Sequence, residues 1–193
     1  MTLLKTLILT FISLFFIACG NDSVAPTTSA KDTSYETAQK TTQNEILKAI
    51  NKARSVARDC HDGNGLVSPA PALTWNTELY AAAYEHSYDL AQSNTFSHYG
   101  SGTSSDITGD NKHNKSYFNE RIKAHGYVEY RTIGENIAGG QASIEEAVNA
   151  WLASPAHCTN MMNANFKEIG VAVVVNQDSD YGIYWTQSFG AKK

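Results

Sequence analysis

Six histidines and three cysteines carry most of the reactive chemistry in this chain of 193 residues. Imidazoles joined by a carboxylate bind borderline divalent metals such as zinc, or exchange protons as general acids and bases. The histidines are His61, His86, His98, His113, His125 and His157, and spacing alone groups none of them with a particular acid. The sequence contains no Gly-x-Ser-x-Gly elbow, His-Glu-x-x-His helix or activated-cysteine motif, so a hydrolytic reading lacks a nucleophile. Asp106 and Asp110 lack EF-hand spacing and read as loop residues. The cysteines are Cys19, Cys60 and Cys158. The last two are open to three readings: a disulfide, two buried thiols, or Cys158 as a nucleophile beside His157. Adjacent side chains point apart, which disfavours the third.

The N-terminus bears on that choice. Residues 1–18 hold one cation, Lys5, ahead of an apolar run from Leu7 to Ala18 broken only by Thr10 and Ser13. The run is short for a membrane span and has the form of a signal peptide. It ends Phe16-Ile17-Ala18-Cys19-Gly20, which resembles a bacterial lipobox with Phe16 where Leu is usual. Cys19 is therefore expected to be the acylated N-terminus and membrane anchor, with plain secretion as the alternative. Gly20, rather than Asp, after that cysteine favours the outer membrane, facing the periplasm or the exterior. Residues 19–42 are rich in Ser, Thr, Asp, Lys and Gln without apolar periodicity, and read as a flexible tether to a domain over 43–193. Export makes a disulfide the default state of Cys60 and Cys158. Net charge is −4, or −5 once Lys5 is removed with residues 1–18. This balance excludes nucleic acid as a partner, because phosphate binding needs a dense Lys/Arg surface. Oligomeric state is not legible.

The domain has 42% hydrophobic residues to build a core from. Helical spacing marks residues 43–58, 77–92 and 118–125, the last with Gly126 as a left-handed cap. The stretch 60–72 is loop, as is the Gly/Ser/Asp/Asn-rich stretch 99–115, which is expected at the surface. Ser143 and Glu146 form a capping-box pattern for a helix that stops before Pro155. The period then changes to two: Ile169, Val171, Val173 and Val175 alternate, a polar turn spans 177–180, and a returning strand follows through Ile183 and Trp185 to Phe189. A further strand is expected over 132–138. Helices flanking this sheet give an α/β fold, a three-layer α/β/α sandwich with a small, mainly antiparallel sheet. Trp75, Trp151 and Trp185 read as core, His86 as a satisfied structural residue on a packed helix, and His61, His113 and His125 as solvent-facing.

Several short stretches recur in a telling order: Leu73-Thr74-Trp75-Asn76, His86-Ser87-Tyr88-Asp89-Leu90-Ala91, Phe96-Ser97-His98, Glu120-Arg121-Ile122, Gly134-Glu135-Asn136-Ile137-Ala138, Trp151-Leu152-Ala153-Ser154-Pro155-Ala156-His157, Glu168-Ile169-Gly170-Val171 and Tyr184-Trp185-Thr186-Gln187. Together they resemble the bacterial branch of the CAP superfamily, the SCP domain of cysteine-rich secretory proteins, antigen 5 and pathogenesis-related 1. The resemblance implies a cleft lined by two histidines and two acids. His98 and His157 match the histidines and Glu135 the first acid. The second acid falls near Ser154, leaving a triad. Cys60 and Cys158 match a cysteine pair of some bacterial members.

The implied site is a divalent metal, possible zinc binding among others, held by His98, His157 and Glu135 with an open position, and weakening as imidazoles protonate below about pH 6.5. Glu135 has a second expected role, orienting the histidines. The functional expectation is a non-catalytic extracytoplasmic binding module with a lipid, metal or protein ligand. A metal-dependent hydrolase using His98, Glu135 and His157, and a structural envelope protein with a vestigial cleft, are the alternatives.

Overall fold

The computed structural model describes residues 30–111 and 113–193. The expected signal peptide, Cys19 and the first part of the expected tether lie outside the described residues. The remainder of that tether is a correction. Residues Ala30–Lys40 form a helix, α1, whose Tyr35 and Ala38 are buried. Its inward stripe is only these two residues, too short to register as periodicity. Gly182 makes room for the Tyr35 ring, which a side chain there would overlap.

Helix α2 (Gln43–Arg54) starts with a full capping box from Thr42 and Glu45 and buries Ile46, Ile50 and Ala53. Short strands β1 (Arg58–Asp59) and β2 (Leu66–Val67) pair antiparallel around a loop. Strand β3 (Thr74–Trp75) leads into α3 (Thr77–Ser93), which Asn76 caps through the backbone amides of Glu78 and Leu79. Helices α4 (Ile107–Asp110) and α5 (Phe118–Ala124) follow, and Gly126, at φ +94°, terminates α5 as expected. Then come β4 (Tyr130–Gly139), α6 (Ile144–Ala153), α7 (Pro155–Met161), β5 (Glu168–Val175) and β6 (Ile183–Lys192). Half of the expected box forms at α6: Ser143 Oγ accepts from the Glu146 amide, while the Glu146 carboxylate accepts from Ala142 instead.

The sheet order is β3-β5-β6-β4, parallel only between β3 and β5. Its alternation separates two cores. Ile169, Val171, Ile183, Trp185 and Phe189 pack with Ile46, Ile50, Val148 and Trp151 on the α1, α2 and α6 side. On the other side α3 lies so close that a Cβ on Gly170 would overlap the Tyr80 backbone, and Leu79, Ala82, Ile122 and Tyr127 cluster there. The three-layer α/β/α expectation therefore holds. Trp151 and Trp185 are core; Trp75 is half-buried and packs against Tyr80. Among the described residues no helix is long and apolar enough to cross a membrane.

The stretch 99–115 is not simply a surface loop. Asp106 is buried and accepts from the amides of Gly102, Gly109 and Ser116 and from the Ser116 hydroxyl. Glu85 and Asp89, both buried on α3, hold the same segment through Thr108 and through Ser101 and Ser105. A glycine- and serine-rich stretch becomes ordered because three carboxylates satisfy its amides. His125, expected in solvent, instead donates to Glu85 at 2.7 Å and is half-buried.

Candidate functional site

Strand β4 places Glu135 and Asn136 at the mouth of an open cleft of about 580 Å³, and α7 places His157, Thr159 and Asn160 on its other wall. His98 arrives from the segment after α3. The rings of His98 and His157 stand 6.3 Å apart, centre to centre. The expected trio is thus brought together from three distant stretches. Of the lining residues, Asp62, His98, Glu135, Asn136, Ala156, His157, Thr159, Asn160 and Asn163, only Ala156 is apolar.

Glu135 is the hub behind the cleft. Its side chain is almost fully buried, and both oxygens are committed: Arg121 Nη2 donates to Oε2 at 2.9 Å, and His98 Nδ1 donates to Oε1 at 2.9 Å. Arg121 is itself buried and also donates to the His98 carbonyl and to Ser116. His86, expected to be a satisfied structural residue, is only half so: it donates through Nε2 to the Ser97 carbonyl and lies 3.8 Å from Glu135, while its buried Nδ1 has no hydrogen-bond partner among the described residues. Burial pushes the Glu135 carboxyl up, but the charges of His86 and Arg121 and the hydrogen bonds from His98 and Arg121 outweigh it and bring it down to about 2. Burial above all pushes His86 down to about 4, so it is neutral at pH 7 and Arg121 is the cation that keeps Glu135 ionised there. Burial and then the neighbouring His98 lower His157 as well.

Between the two walls, Asn136 donates to Gln187 Oε1 and to the His157 carbonyl, while Asn160 donates to Asn136 Oδ1 and to the Glu135 carbonyl. These bonds fix α7, and with it His157, against β4. Ser154, near which the family's second acid falls, precedes α7 as its N-cap residue and makes no side-chain capping bond.

This geometry decides which residues suit a metal. With bonds of about 2.0–2.1 Å, two imidazoles on a tetrahedral ion have ring centres about 5.2 Å apart, and reach about 6.4 Å only when collinear through the ion; the observed separation is 6.3 Å. Glu135 fixes Nδ1 of His98 and leaves Nε2 for the cleft, the arrangement by which a carboxylate orients a ligating histidine. His98 and His157 would therefore have to close by about 1 Å to hold a tetrahedral ion such as zinc between them. Glu135, expected as a third ligand, accepts from Arg121 and His98, the arrangement of its other expected role, orienting the histidines. Among the described residues no three His, Cys, Asp or Glu side chains are arranged to hold a metal ion.

Cys60 and Cys158 are joined as a disulfide, with Cα atoms 5.5 Å apart, in a small buried cluster with Met162. The family model of the cysteine-rich secretory protein (CAP) family matches residues 47–189. The chain belongs to this family. Two relatives from Bacillus subtilis agree: the uncharacterized protein YkwD is 39% identical over 87 residues, covering 40% of this chain and 32% of the relative. The uncharacterized membrane protein YlbC is 28% identical over 165 residues, covering 83% and 38%. The chain thus spans about a third of the length of these relatives. A solved extracellular protein containing an SCP domain from Bacillus anthracis is 26% identical with a TM-score of 0.53, covering 77% of this chain and 41% of that one. An outer surface protein from Borrelia burgdorferi shares the fold at 20% identity and a TM-score of 0.55, covering 79% and 97%.

Sequence reasoning missed four contributors to this CAP-family cleft: Arg121, Asn136, Asn160 and Asp62. Arg121 sits beside Ile122 on the inward side of α5, where a cation demands a buried anion. Asp62 follows Cys60 by two residues, so the disulfide to Cys158 was the available signal that it lies beside His157.

Proposed function

We propose that this CAP-family chain is an exported envelope lipoprotein whose domain is a non-catalytic binding module, taking a divalent cation such as zinc at His98 and His157. The observation that carries the reading is the pair of imidazoles 6.3 Å apart on an open polar cleft, one of them oriented from behind by Glu135. The same geometry weighs against hydrolysis, since Arg121 and His98 bring Glu135 down to about 2, where it is a weak general base toward a water in the cleft. A lipid ligand is a poor match for a lining with one apolar side chain.

Metal analysis of the purified protein tests this. Wild type loaded with Zn²⁺ and desalted is expected to retain about one ion per chain, and His98→Ala and His157→Ala to retain almost none. Equal metal in all three, or none in any, overturns the reading.

Export is supported by the Cys60–Cys158 bond, since such bonds persist in oxidising compartments, and by the extracellular and outer-surface relatives. The anchor rests on Cys19. Cys19→Ser is expected to abolish labelling by radioactive palmitate and to move the protein from the membrane to the soluble fraction. Unchanged labelling would sink the anchor.

A further inference from the structure

Helix α3 turns an uncharged face outward. Its exposed residues are Thr77, Tyr80, Tyr84, Tyr88 and Gln92, at positions where a surface helix ordinarily carries charge. The acids of the helix are engaged elsewhere: Glu78 with Lys192, Glu85 with His125, and Asp89 with Ser101 and Ser105. The three tyrosines stand four residues apart and continue from Trp75 as one row. Successive ring centres lie 5.6, 6.3 and 6.3 Å apart, with planes turned by 37°, 39° and 15°. Tyr80, Tyr84 and Tyr88 are 39%, 47% and 38% exposed. Each is more than half covered, so it offers a surface to a ligand rather than a protruding wedge. Their hydroxyls make no hydrogen bond among the described residues.

Two grooves flank this row and share Tyr80. One, of about 320 Å³, is walled by Tyr84, Tyr88 and Ile107 and reaches the His125–Glu85 pair. The other, of about 440 Å³, is lined by Trp75 with Gln39, Thr41, Gln43 and Thr77, and by no charged side chain. A phosphate, a lipid headgroup or an acidic chain would meet no cation in either groove except His125, which Glu85 already answers. A hydrocarbon ligand would leave the amides and hydroxyls of the second groove dry and unpaired. An uncharged polymer that is apolar on its faces and polar at its edges satisfies both. In a β-1,4-linked pyranose chain the ring substituents are equatorial, so each unit shows an axial C–H face, slightly positive, that suits the negative face of an aromatic ring. One such unit is comparable in length to one step of the row. We infer that α3 is a glycan-binding face, on which Trp75, Tyr80, Tyr84 and Tyr88 stack successive units of an uncharged β-1,4-linked polysaccharide. The tyrosine hydroxyls and the neutral side chains of Gln39, Gln43 and Thr77 bond its hydroxyls. Neither groove shares a residue with the cleft of His98 and His157, so this site does not depend on a cation there.

Calorimetric titration of the purified protein with chitohexaose and with cellohexaose, at low and at high NaCl, tests it, with circular dichroism confirming the fold of each variant. Wild type is expected to bind at least one of the two, with an affinity that salt leaves unchanged because no ion pair forms. Tyr84→Ala is expected to bind about fivefold more weakly and Tyr84→Ala/Tyr88→Ala about 25-fold more weakly, whereas Tyr84→Phe, which keeps the ring, loses much less. His98→Ala/His157→Ala is expected to bind as wild type does. Should the double tyrosine variant misfold, Tyr84→Ala alone decides. The inference is overturned if wild type binds neither oligosaccharide, if the tyrosine variants bind as wild type does, or if high salt abolishes binding. Loss of binding in the double histidine variant would place the glycan in the cleft and also overturn it. So would light scattering that finds a wild-type dimer reduced to a monomer by Tyr84→Ala/Tyr88→Ala, the result for a face that docks a second copy.

Discussion

Replacing Arg121 with Met is expected to cost about 3–5 kcal/mol of folding stability, because it strands a buried carboxylate without its cation. The Glu135 side chain is 2% exposed and has only imidazoles left to answer it. The pH dependence distinguishes this from ordinary repacking. In wild type, Glu135 lies below its ordinary value, at about 2. Its contribution is therefore full above pH 4.5 and is lost as pH falls toward 2. His86, at about 4 when folded, adds to acid lability, because stability drains as pH falls below 6.5 and the unfolded chain takes up the proton first. Without Arg121, burial dominates and raises the Glu135 carboxyl above its unfolded value. The variant then loses stability as pH rises through that range. Urea denaturation at pH 3.5 and pH 7 should show the deficit of Arg121→Met narrowing in acid. A deficit independent of pH would show that Arg121 contributes packing alone.

Loss of the disulfide is the second large effect. The bond closes a loop with a sequence separation of 98, worth about 4–5 kcal/mol in the chain-entropy account. Cys60→Ser/Cys158→Ser should therefore melt roughly 10–15 °C below wild type in calorimetry. A shift under about 3 °C would mean that the unfolded chain is already restrained near these residues. The variants act on facing walls of the cleft, Arg121 through β4 and the disulfide through α7, and Asn136 and Asn160 join those walls, so their effects need not add.

Most of the fold was legible because its elements advertise themselves locally. Val171, Val173 and Val175 alternate along one strand, Asn76 and Ser143 start helices, and Gly126 and Pro155 mark where α5 ends and α7 begins. Helix α1 was not legible, since two buried residues in a polar segment carry no detectable period. The Asp106 node was hidden for a related reason: its partners are backbone amides, which every residue possesses and which leave no trace in residue type. At the site, His98, Glu135 and His157 were reached only through family resemblance, as nothing in their spacing joins them. The resemblance named the residues but did not separate ligand from support. The bonds from Arg121 and His98 to Glu135 speak for support.

Helix α1 has a consequence for where the domain can stand. In the lipid-anchored protein proposed above, ten residues, 20–29, lie between the acylated Cys19 and Ala30 of α1. Eleven residue steps of at most about 3.6 Å put Ala30 no more than about 40 Å from Cys19. The domain is thereby confined to a thin shell next to the bilayer, and whatever its cleft captures must come within that distance of the lipid headgroups.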